Sequence, residues 1–415
     1  MAEQPPVEHA KLNRDEFTTE ITVLGIRVPI KEVQRWTKDP KIGKYLLRLP
    51  QIRPVQADPT EPKVYKIICF KPGTKKEDLP DRVKQHGVVE HVIERRYEHM
   101  STEEVLRKLL PAELEVPSSF ETAGHIAHFN LKDSHMPYKK VIGQVVLDKN
   151  PAIKLVVTKV ANLSNEFRTM NLDVMACAEG CDPTNFITTV KENGMQFKLD
   201  YSNVYWNSRL STMRQGLLND LTPATSVVVD MCCGIGAFVI MAAKRIGCRV
   251  YANDLNPEST KWCAENMKLN KVPSELMTVS TEDGRDFVKR LAREGVFDDK
   301  MDFHFYMNLP SIAITFLDVF VGLLKGHEGA AEKARFLVHC HCFAREDPPN
   351  DELYTAADRA MENKEGIKVD RRLVSINEVR DVAPNKRMYC FEFAVPKEIL
   401  LATRPDEEPP AKRQK

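Results

Sequence analysis

The chain has 415 residues, of which 42% are hydrophobic and 29% charged, and its formal net charge is +1. This length exceeds what one hydrophobic core usually covers, so we expect two or three domains, and the composition excludes a disordered or fibrous protein. The small net charge neither supports nor excludes a nucleic-acid partner, because a polyanion would have to meet a local basic surface.

Both ends of the chain are predicted to be disordered. Residues 1–16 lack an apolar signal region and contain acids that a mitochondrial transit peptide avoids. Residues 399–415 are rich in proline and charge, and their basic end fits either a weak nuclear signal or a solvated tail. The most apolar regions, 221–243 and 303–324, are interrupted by polar residues, so no membrane span is predicted. We expect the protein in the cytoplasm, the nucleus or the mitochondrial matrix.

Residues 17–112 have the pattern of a small α/β module. Strand-like runs at 19–25 and 64–70 flank a helical stretch at 30–36. A capping-box pattern opens a further helix at 101, and Pro111 closes it. We place the first domain boundary after residue 112.

Residues 113–200 are predicted to form a second, α+β domain that binds RNA or links its neighbours. Apolar runs at 141–148 and 152–160 indicate strands. Residues 131–170 contain seven lysines and arginines against three acids. This excess fits a surface that faces phosphates, and it also fits an ordinary solvated face.

Ten cysteines are spread along the chain without the spacing of a disulfide framework, which favours a reducing compartment. Zinc ligation is an alternative for the pair Cys177 and Cys181 and for the run 339–342, where histidine and cysteine alternate. No second Cys-x-x-Cys pair supports it, and 335–343 alternates like a strand. We therefore predict no metal, with core cysteines and hydrogen-bonded histidines.

Residues 201–398 alternate strands and helices, which predicts a parallel α/β sheet. The clearest signal is an apolar strand that ends in Asp230 and is followed by a turn containing Gly234 and Gly236. Glycines allow a tight turn and close approach of a ligand at the carboxyl end of the first strand. Val239 stands where a dinucleotide fingerprint needs a third glycine, which argues against NAD or FAD.

The ends of the next strands are also polar. Asp254 follows the second strand, Asp283 with Gly284 follows the third, and Asn308 follows the fourth, where Pro310 prevents further pairing. Carboxyl ends of parallel strands meet at one edge of a sheet, where open α/β sheets bind ligands. An acidic edge suits a cationic ligand that carries adenosine, such as S-adenosylmethionine (SAM).

Several motifs resemble one known family, the archaeal and eukaryotic tRNA (guanine-37, N1)-methyltransferases. They are GlyHisIleAlaHisPheAsnLeu (124–131), ValIleGlyGlnValValLeuAspLysAsnPro (141–151), AsnGluPheArg (165–168), ValTyrTrpAsnSerArgLeuSerThr (204–212), the glycine loop, AsnLeuProSer (308–311) and ValAlaProAsnLys (382–386). The resemblance covers about 100–395. It implies a class I, Rossmann-like methyltransferase domain preceded by two smaller α+β domains, SAM as cofactor, and methylation of tRNA at N1 of guanine 37.

The resemblance also implies roles for single residues. Joined with the glycine loop, it gives a cofactor-binding set of Arg214, Asp230, Gly234, Gly236, Asp254, Leu255, Asp283, Gly284 and Asn308. A second set would handle the target base: Arg168 at O6, Tyr205 as an aromatic platform, Arg209 as a donor, and Asn308 at the base edge. A monomer is the default expectation.

One position departs from the family. The family has a glutamate, its proposed general base, where this chain has Met213. Methionine cannot accept a proton, so another group or a water takes this role, methylation is slowed, or the protein binds tRNA without catalysis. A further alternative is a related aminocarboxypropyl transferase of wybutosine synthesis, which uses the other alkyl arm of SAM.

Overall fold

The computed structural model describes residues 12–117, 119–160, 169–345, 349–383 and 385–405. The chain divides into two compact units, one within Met1–Lys159 and Leu172–Thr184, the other within Val160–Asn171 and Asn185–Lys415. The predicted domain boundaries at 112 and 200 stay predictions. Among the described residues, no helix combines the length and apolarity that crossing a membrane requires.

The first unit begins with a four-stranded antiparallel sheet. Its strands are β1 (Thr19–Pro29), β2 (Val55–Ala57), β3 (Tyr65–Cys69) and β4 (Val88–Arg95), in the order β2-β3-β1-β4, and its helices are α1 (Val33–Thr37), α2 (Pro40–Gly43) and α3 (Asp81–His86). Helix α4 (Thr102–Leu109) follows. The predicted capping box at its start is confirmed, since Ser101 Oγ accepts from the Glu104 amide and the Glu104 carboxylate accepts from the Ser101 amide.

A second sheet completes this unit, with strands β5 (Glu121–Ala123), β6 (Ile126–Phe129), β7 (Leu155–Lys159) and β8 (Leu172–Cys177) in that order. The predicted strand at 141–148 is wrong, because these residues lie in helix α5 (Lys139–Lys149). The helix packs on β8, where a Cβ on Gly143 would lie 2.7 Å from the Met175 Cβ. Its apolar run is nearly all buried, and such a run fits a strand or a helix until packing decides.

The second unit begins with a hairpin of β9 (Ile187–Glu192) and β10 (Met195–Asp200). Its two-residue turn is Asn193-Gly194, both with positive φ, as a tight hairpin requires. Strand β9 alternates exposed and buried residues, and Glu192 occupies a buried position. The short helix α6 (Ser211–Gly216) then leads into the main sheet.

The main sheet has seven strands: β11 (Ser226–Asp230), β12 (Arg249–Asn253), β13 (Met277–Ser280), β14 (Asp302–Met307), β15 (Arg335–Ala344), β16 (Ser375–Ala383) and β17 (Lys386–Ala394). Their order is β13-β12-β11-β14-β15-β17-β16. The first five strands are parallel, and β17 and β16 are antiparallel to their neighbours. The predicted parallel α/β sheet is confirmed.

Helices connect and cover these strands. They are α7 (Val239–Met241), which continues as a π-helical turn (Ala242–Ile246), α8 (Pro257–Leu269), α9 (Gly284–Arg293), α10 (Glu328–Lys333), α11 (Asn350–Ala360) and α12 (Lys397–Leu400). Short 3₁₀ turns occupy Arg14–Phe17, Ile30–Glu32, Lys76–Asp78, Tyr97–His99, Asp133–Tyr138, Ser208–Leu210, Leu217–Asp220, Val296–Asp298, Ala313–Phe320 and Arg371–Leu373.

Strand β14 shows how the sheet separates its two faces. Phe303, Phe305 and Met307 belong to the large apolar core, so the alternating residues His304 and Tyr306 point to the opposite face. Strand β11 pairs with β12 on one side and with β14 on the other, so the order of the strands reverses at β11. The carboxyl ends of β11 and β14 therefore flank the crevice at which α/β sheets of this kind bind ligands.

Candidate functional site

The loop after β11 depends on two glycines. Gly234 has φ +56° and Gly236 has φ +88°. A Cβ on Gly236 would lie 2.7 Å from Cys263 Sγ, so no side chain fits there. A Cβ on Gly234 would meet no atom within 4 Å, which leaves open space beside the loop. The Gly234 amide donates to Asp254 Oδ2 at 2.8 Å and ties the loop to the end of β12.

Three carboxylates follow β11, β12 and β13, and we call Asp230, Asp254 and Asp283 the acidic side of the edge. Asp254 also accepts from the Asn256 amide at 2.9 Å. Asp283 caps helix α9 and accepts from the amides of Arg285 at 2.8 Å and Asp286 at 3.3 Å. These bonds to backbone amides hold the acidic side rigid before any ligand arrives.

Asp230 is the buried member of the acidic side. Burial raises its pKa to about 7, the like charge of Asp254 adds to this, and the Cys232 amide, which donates to Asp230 at 3.0 Å, opposes it. A positive charge nearby would favour the ionised form. The position is therefore suited to a cationic ligand.

The edge continues with residues that carry no formal charge at pH 7. Met307 and Cys340 form the last pair of β14 with β15, so Asn308 and His341 follow side by side. The Asn308 amide donates to Cys232 Sγ at 2.9 Å, and the Phe343 amide donates to the Pro310 carbonyl at 3.0 Å. The predicted end of the strand at Asn308 is confirmed.

A cleft of about 660 Å³, partly open to solvent, lies at this edge. Its lining includes five residues of the two predicted sets, Tyr205, Arg214, Asp230, Gly234 and Asn308. It also includes Met213, Tyr306 and His341, which we call, with Asn308, the neutral side. Gly236, Asp254, Leu255, Asp283, Gly284 and Arg209 lie outside this lining.

Comparison with known proteins identifies the family. Residues 188–366 match the model of the TRM5/TYW2 methyltransferase domain, and residues 102–180 match that of the TYW2 N-terminal domain. A tRNA (guanine(37)-N(1))-methyltransferase of Phytophthora infestans is 39% identical to this chain, and the alignment covers 94% of both proteins. The chain belongs to the tRNA (guanine(37)-N(1))-methyltransferase family.

Two further relatives agree with this assignment. A tRNA (guanine(37)-N(1))-methyltransferase of Xenopus tropicalis is 38% identical over 97% of this chain and 82% of its own length. The crystal structure of Trm5b from Pyrococcus abyssi is 26% identical, with a TM-score of 0.59 over 90% of this chain and 99% of that chain. The predicted class I, Rossmann-like methyltransferase fold is confirmed.

The residues at the edge fit SAM, the cofactor of this methyltransferase family. The open space at Gly234 leaves room for a ligand against the loop, and the acidic side offers acceptors for hydroxyl and amino groups. Among the described residues that line the cleft, the lysines and arginines amount to Arg214, which is already paired. A cationic, phosphate-free nucleoside therefore matches the cleft better than a dinucleotide.

Arg214 makes a contact that sequence reasoning missed. Its Nε and one terminal nitrogen donate to the two oxygens of Glu192 at 2.7 and 2.6 Å, and both side chains are buried. Its guanidinium carbon lies 5.0 Å from the Trp206 ring centroid. The signal for this pair was an acid at an inward position of alternating strand β9. Arg214 stands at the cleft, with its charge balanced by Glu192.

The residues predicted to handle the base are placed unevenly. Tyr205 lines the cleft, is 38% exposed, and its hydroxyl accepts from the Asn207 side chain at 3.2 Å. Arg209 is exposed on the 3₁₀ turn Ser208–Leu210, and Leu255 is exposed after β12. Arg168 lies outside the described residues. Met213 lines the cleft, so no carboxylate stands at this position of the site.

The prediction of hydrogen-bonded histidines on β15 is right for His339 and wrong for His341. His339 Nδ1 lies 2.6 Å from Glu392 Oε1, and its Nε2 lies 3.1 Å from His304 Nδ1. Metal-ligand atoms of His339, Cys390 and Glu392 lie within 4.8 Å of one another. Hydrogen bonds already occupy both ring nitrogens of His339 and both carboxylate oxygens of Glu392. His341 is buried, and neither ring nitrogen has a hydrogen-bond partner.

Proposed function

We propose that this protein transfers the methyl group of SAM to N1 of guanine 37 in tRNA. The observation that carries the proposal is the match to a methyltransferase of that name over 94% of both chains. The cleft supports it, because the glycine loop, the acidic side and Asn308 meet at one edge of the sheet. When bound, SAM supplies a methyl group activated by its sulfonium charge.

On the acidic side, the chain's own residues bind and orient the cofactor. Asp254 and Leu255 hold the ribose, and Asp283 with Gly284 holds the adenine. Gly234 and Gly236 let the backbone approach closely, and Asp230 lowers the energy of a nearby positive charge. Arg214, balanced by Glu192, supports the wall of the cleft beside the cofactor.

On the neutral side, the chain binds the base. Asn308 offers one donor and one acceptor to the edge of guanine, and Tyr205 provides an aromatic surface on which an extracted base can stack. Arg168 contributes positive charge to O6, and Arg209 donates to the RNA. Guanine N1 must also lose a proton, and Met213 cannot take it.

The basic region at 131–170 contributes less free charge to RNA than its composition suggests. Lys132 pairs with Glu115 at 3.0 Å, Lys139 pairs with Asp173, and Lys149 donates to the Tyr97 carbonyl. Lys140 donates to the Val174 carbonyl at 2.7 Å. Phosphate contacts from these lysines would exchange existing bonds for new ones, so we expect only a modest share of the salt dependence of tRNA binding to arise here.

A single-turnover assay tests the proposed function. The full chain is mixed with methyl-tritiated SAM and a tRNA transcript that has guanine at position 37, and the matched control transcript has adenine there. We expect label in the guanine-37 transcript only, recovered as 1-methylguanosine after nuclease digestion. Tight tRNA binding without label in either transcript would overturn the proposal and favour a tRNA-binding protein without catalysis.

The match of residues 102–180 to a model named for TYW2 makes the identity of the transferred group worth measuring. Mass spectrometry of the digested nucleoside separates a methyl group from the larger aminocarboxypropyl group. We expect the mass increase of one methyl group. An aminocarboxypropyl adduct would replace the proposed function with the alternative alkyl transfer.

A further inference from the structure

His341 is a buried polar residue that faces the cleft without a partner. It follows the last parallel pair of β15 with β14, it is 1% exposed, and it lines the cleft. Neither Nδ1 nor Nε2 has a hydrogen-bond partner. Leaving such groups unsatisfied in the folded protein costs free energy, so their burial at a cleft indicates a ligand that satisfies them.

The position of His341 is where a proton acceptor for the base is needed. It follows the last pair of β15 with β14, as Asn308 does on β14, and Met213 lines the same cleft. The Met213 side chain cannot accept a proton, so it does not supply an acceptor on the neutral side. An imidazole nitrogen beside Asn308 can face the same edge of guanine that Asn308 binds.

Other titratable groups in the cleft are less suited to accept this proton. The Tyr306 hydroxyl donates toward the Leu217 carbonyl at 3.5 Å, and burial raises its pKa well above the usual value, so it stays protonated. Arg214 has no acceptor atom. Asp230 stands on the acidic side, where one of its oxygens already accepts from the Cys232 amide.

The cysteines of the loop are no better placed. The Cys233 thiol lies beside Cys263, and this contact together with burial raises its pKa. Cys232 Sγ accepts from the Asn308 amide. Both thiols are therefore engaged in fixing the glycine loop and the 308–311 loop.

We propose that a ring nitrogen of His341 accepts the N1 proton of guanine 37 during methyl transfer. This inference rests on the proposed function. The N1–H bond breaks and its proton moves to His341, while the N1 electron pair forms the bond to the methyl carbon. The carbon–sulfur bond breaks and its electron pair stays on sulfur, which leaves S-adenosylhomocysteine. The imidazolium then releases the proton to solvent.

The charge of the cleft is conserved in this step. The sulfonium loses its positive charge as the imidazole gains one, so the step adds no net charge to the buried site. Burial lowers the pKa of His341 to about 4, and His339 adds to this, so the ring begins neutral with one free lone pair. Glu392 favours the charged form through its charge, and so does the Met307 carbonyl, which the ring approaches without forming a hydrogen bond of normal geometry.

Replacement of His341 tests the proposal in the full chain. His341→Phe keeps a buried aromatic ring and removes both nitrogens, and we expect the single-turnover rate to fall by roughly 10²-fold. The rate of the variant should then climb with pH between 6.5 and 8.5, as prior ionisation of N1 replaces the acceptor. SAM affinity, measured by calorimetry, should stay within about 3-fold of the parent.

The matched control is His304→Phe, because His304 is also a buried strand histidine of the main sheet and does not line the cleft. We expect its methylation rate to equal that of the parent. The second variant, Met213→Glu with His341→Phe, returns a carboxylate to the cleft and should recover at least 10-fold of the lost rate. Recovery would also show that His341→Phe folds and binds both substrates.

A binding measurement separates contact with N1 from any effect on chemistry. With S-adenosylhomocysteine present, the parent should bind the guanine-37 transcript more tightly than the adenine-37 transcript, because adenine N1 has no proton to donate. His341→Phe should reduce this preference by about 3- to 10-fold. An unchanged preference, or a His341→Phe rate within 3-fold of a parent that methylates well, overturns the inference. A parent that does not methylate guanine 37 overturns the proposed function instead.

Discussion

The acidic side of the sheet edge and the neutral side of the cleft differ in charge and in how completely they are bonded. On the acidic side, Asp230, Asp254 and Asp283 all accept from backbone amides, so the carboxylates also hold the loops in place. On the neutral side, His341 has no partner, and Asn308 is bonded through its backbone. The comparison teaches that the protein organises one half of its site in advance and leaves the other to be completed by substrate.

This division fits the chemistry of two different ligands. A cofactor that carries its own positive charge gains from fixed acids. A neutral base gains from unsatisfied donors and acceptors, because a ligand that pairs them removes an energetic cost. Three changes to the chain test this contrast.

The largest expected effect comes from the buried pair of Arg214 with Glu192 at the wall of the cleft. Glu192→Gln leaves the charge of Arg214 buried without its partner, and we expect the free energy of unfolding to fall by about 3–5 kcal/mol. Urea unfolding measures this. The exposed pair of Glu258 with Lys261 is the control, and Glu258→Gln should cost less than about 1 kcal/mol. A Glu192→Gln protein as stable as the parent would mean that the pair is not shielded from solvent.

A smaller effect is expected for the acidic side. Asp254→Ala removes the acceptor of the Gly234 and Asn256 amides together with the proposed ribose contact, so SAM binding should weaken by about 1–3 kcal/mol. Calorimetric titration with SAM measures this. Asp254→Asn keeps one acceptor oxygen and should lose less. Parent-like SAM affinity in Asp254→Ala would place the cofactor elsewhere.

The smallest effect concerns Asp230 and depends on pH. Burial raises its pKa to about 7, so the folded protein holds a proton that the unfolded chain releases between about pH 4 and 7. This contribution to stability is present below pH 4 and is lost as the pH rises through 7. Asp230→Asn removes that dependence. The free energy of unfolding of the variant minus that of the parent should therefore be about 1–2 kcal/mol larger at pH 8 than at pH 5. Unfolding in urea without SAM at both pH values measures it. If variant and parent differed in free energy of unfolding by the same amount at pH 5 and pH 8, the burial of this carboxyl group would be contradicted.

His341 on the neutral side and Glu192, the partner of Arg214, were harder to predict from the sequence than the acidic side. Asp230, Asp254 and Asp283 each follow an apolar strand at a local break, so their pattern is visible along the chain. Glu192 stands at an inward position of the alternating strand β9, and His341 stands in a stretch of β15 that is buried on both faces. In both cases a polar residue at a buried position is the only signal. Whether such a residue finds a partner depends on strands far away in sequence, and here Glu192 finds Arg214 while His341 finds none.

The sequence by itself determined the parallel sheet, the ends of its strands and the glycine loop, because these follow from periodicity, proline and the need for positive φ. It also determined the family, through motifs that are local in the chain. Only the tertiary structure decided that 141–148 is a helix, since its apolar run suits either form until β8 packs on it. Only the tertiary structure placed His341 beside Asn308, because the register of two strands brings together residues that lie more than thirty positions apart in the chain.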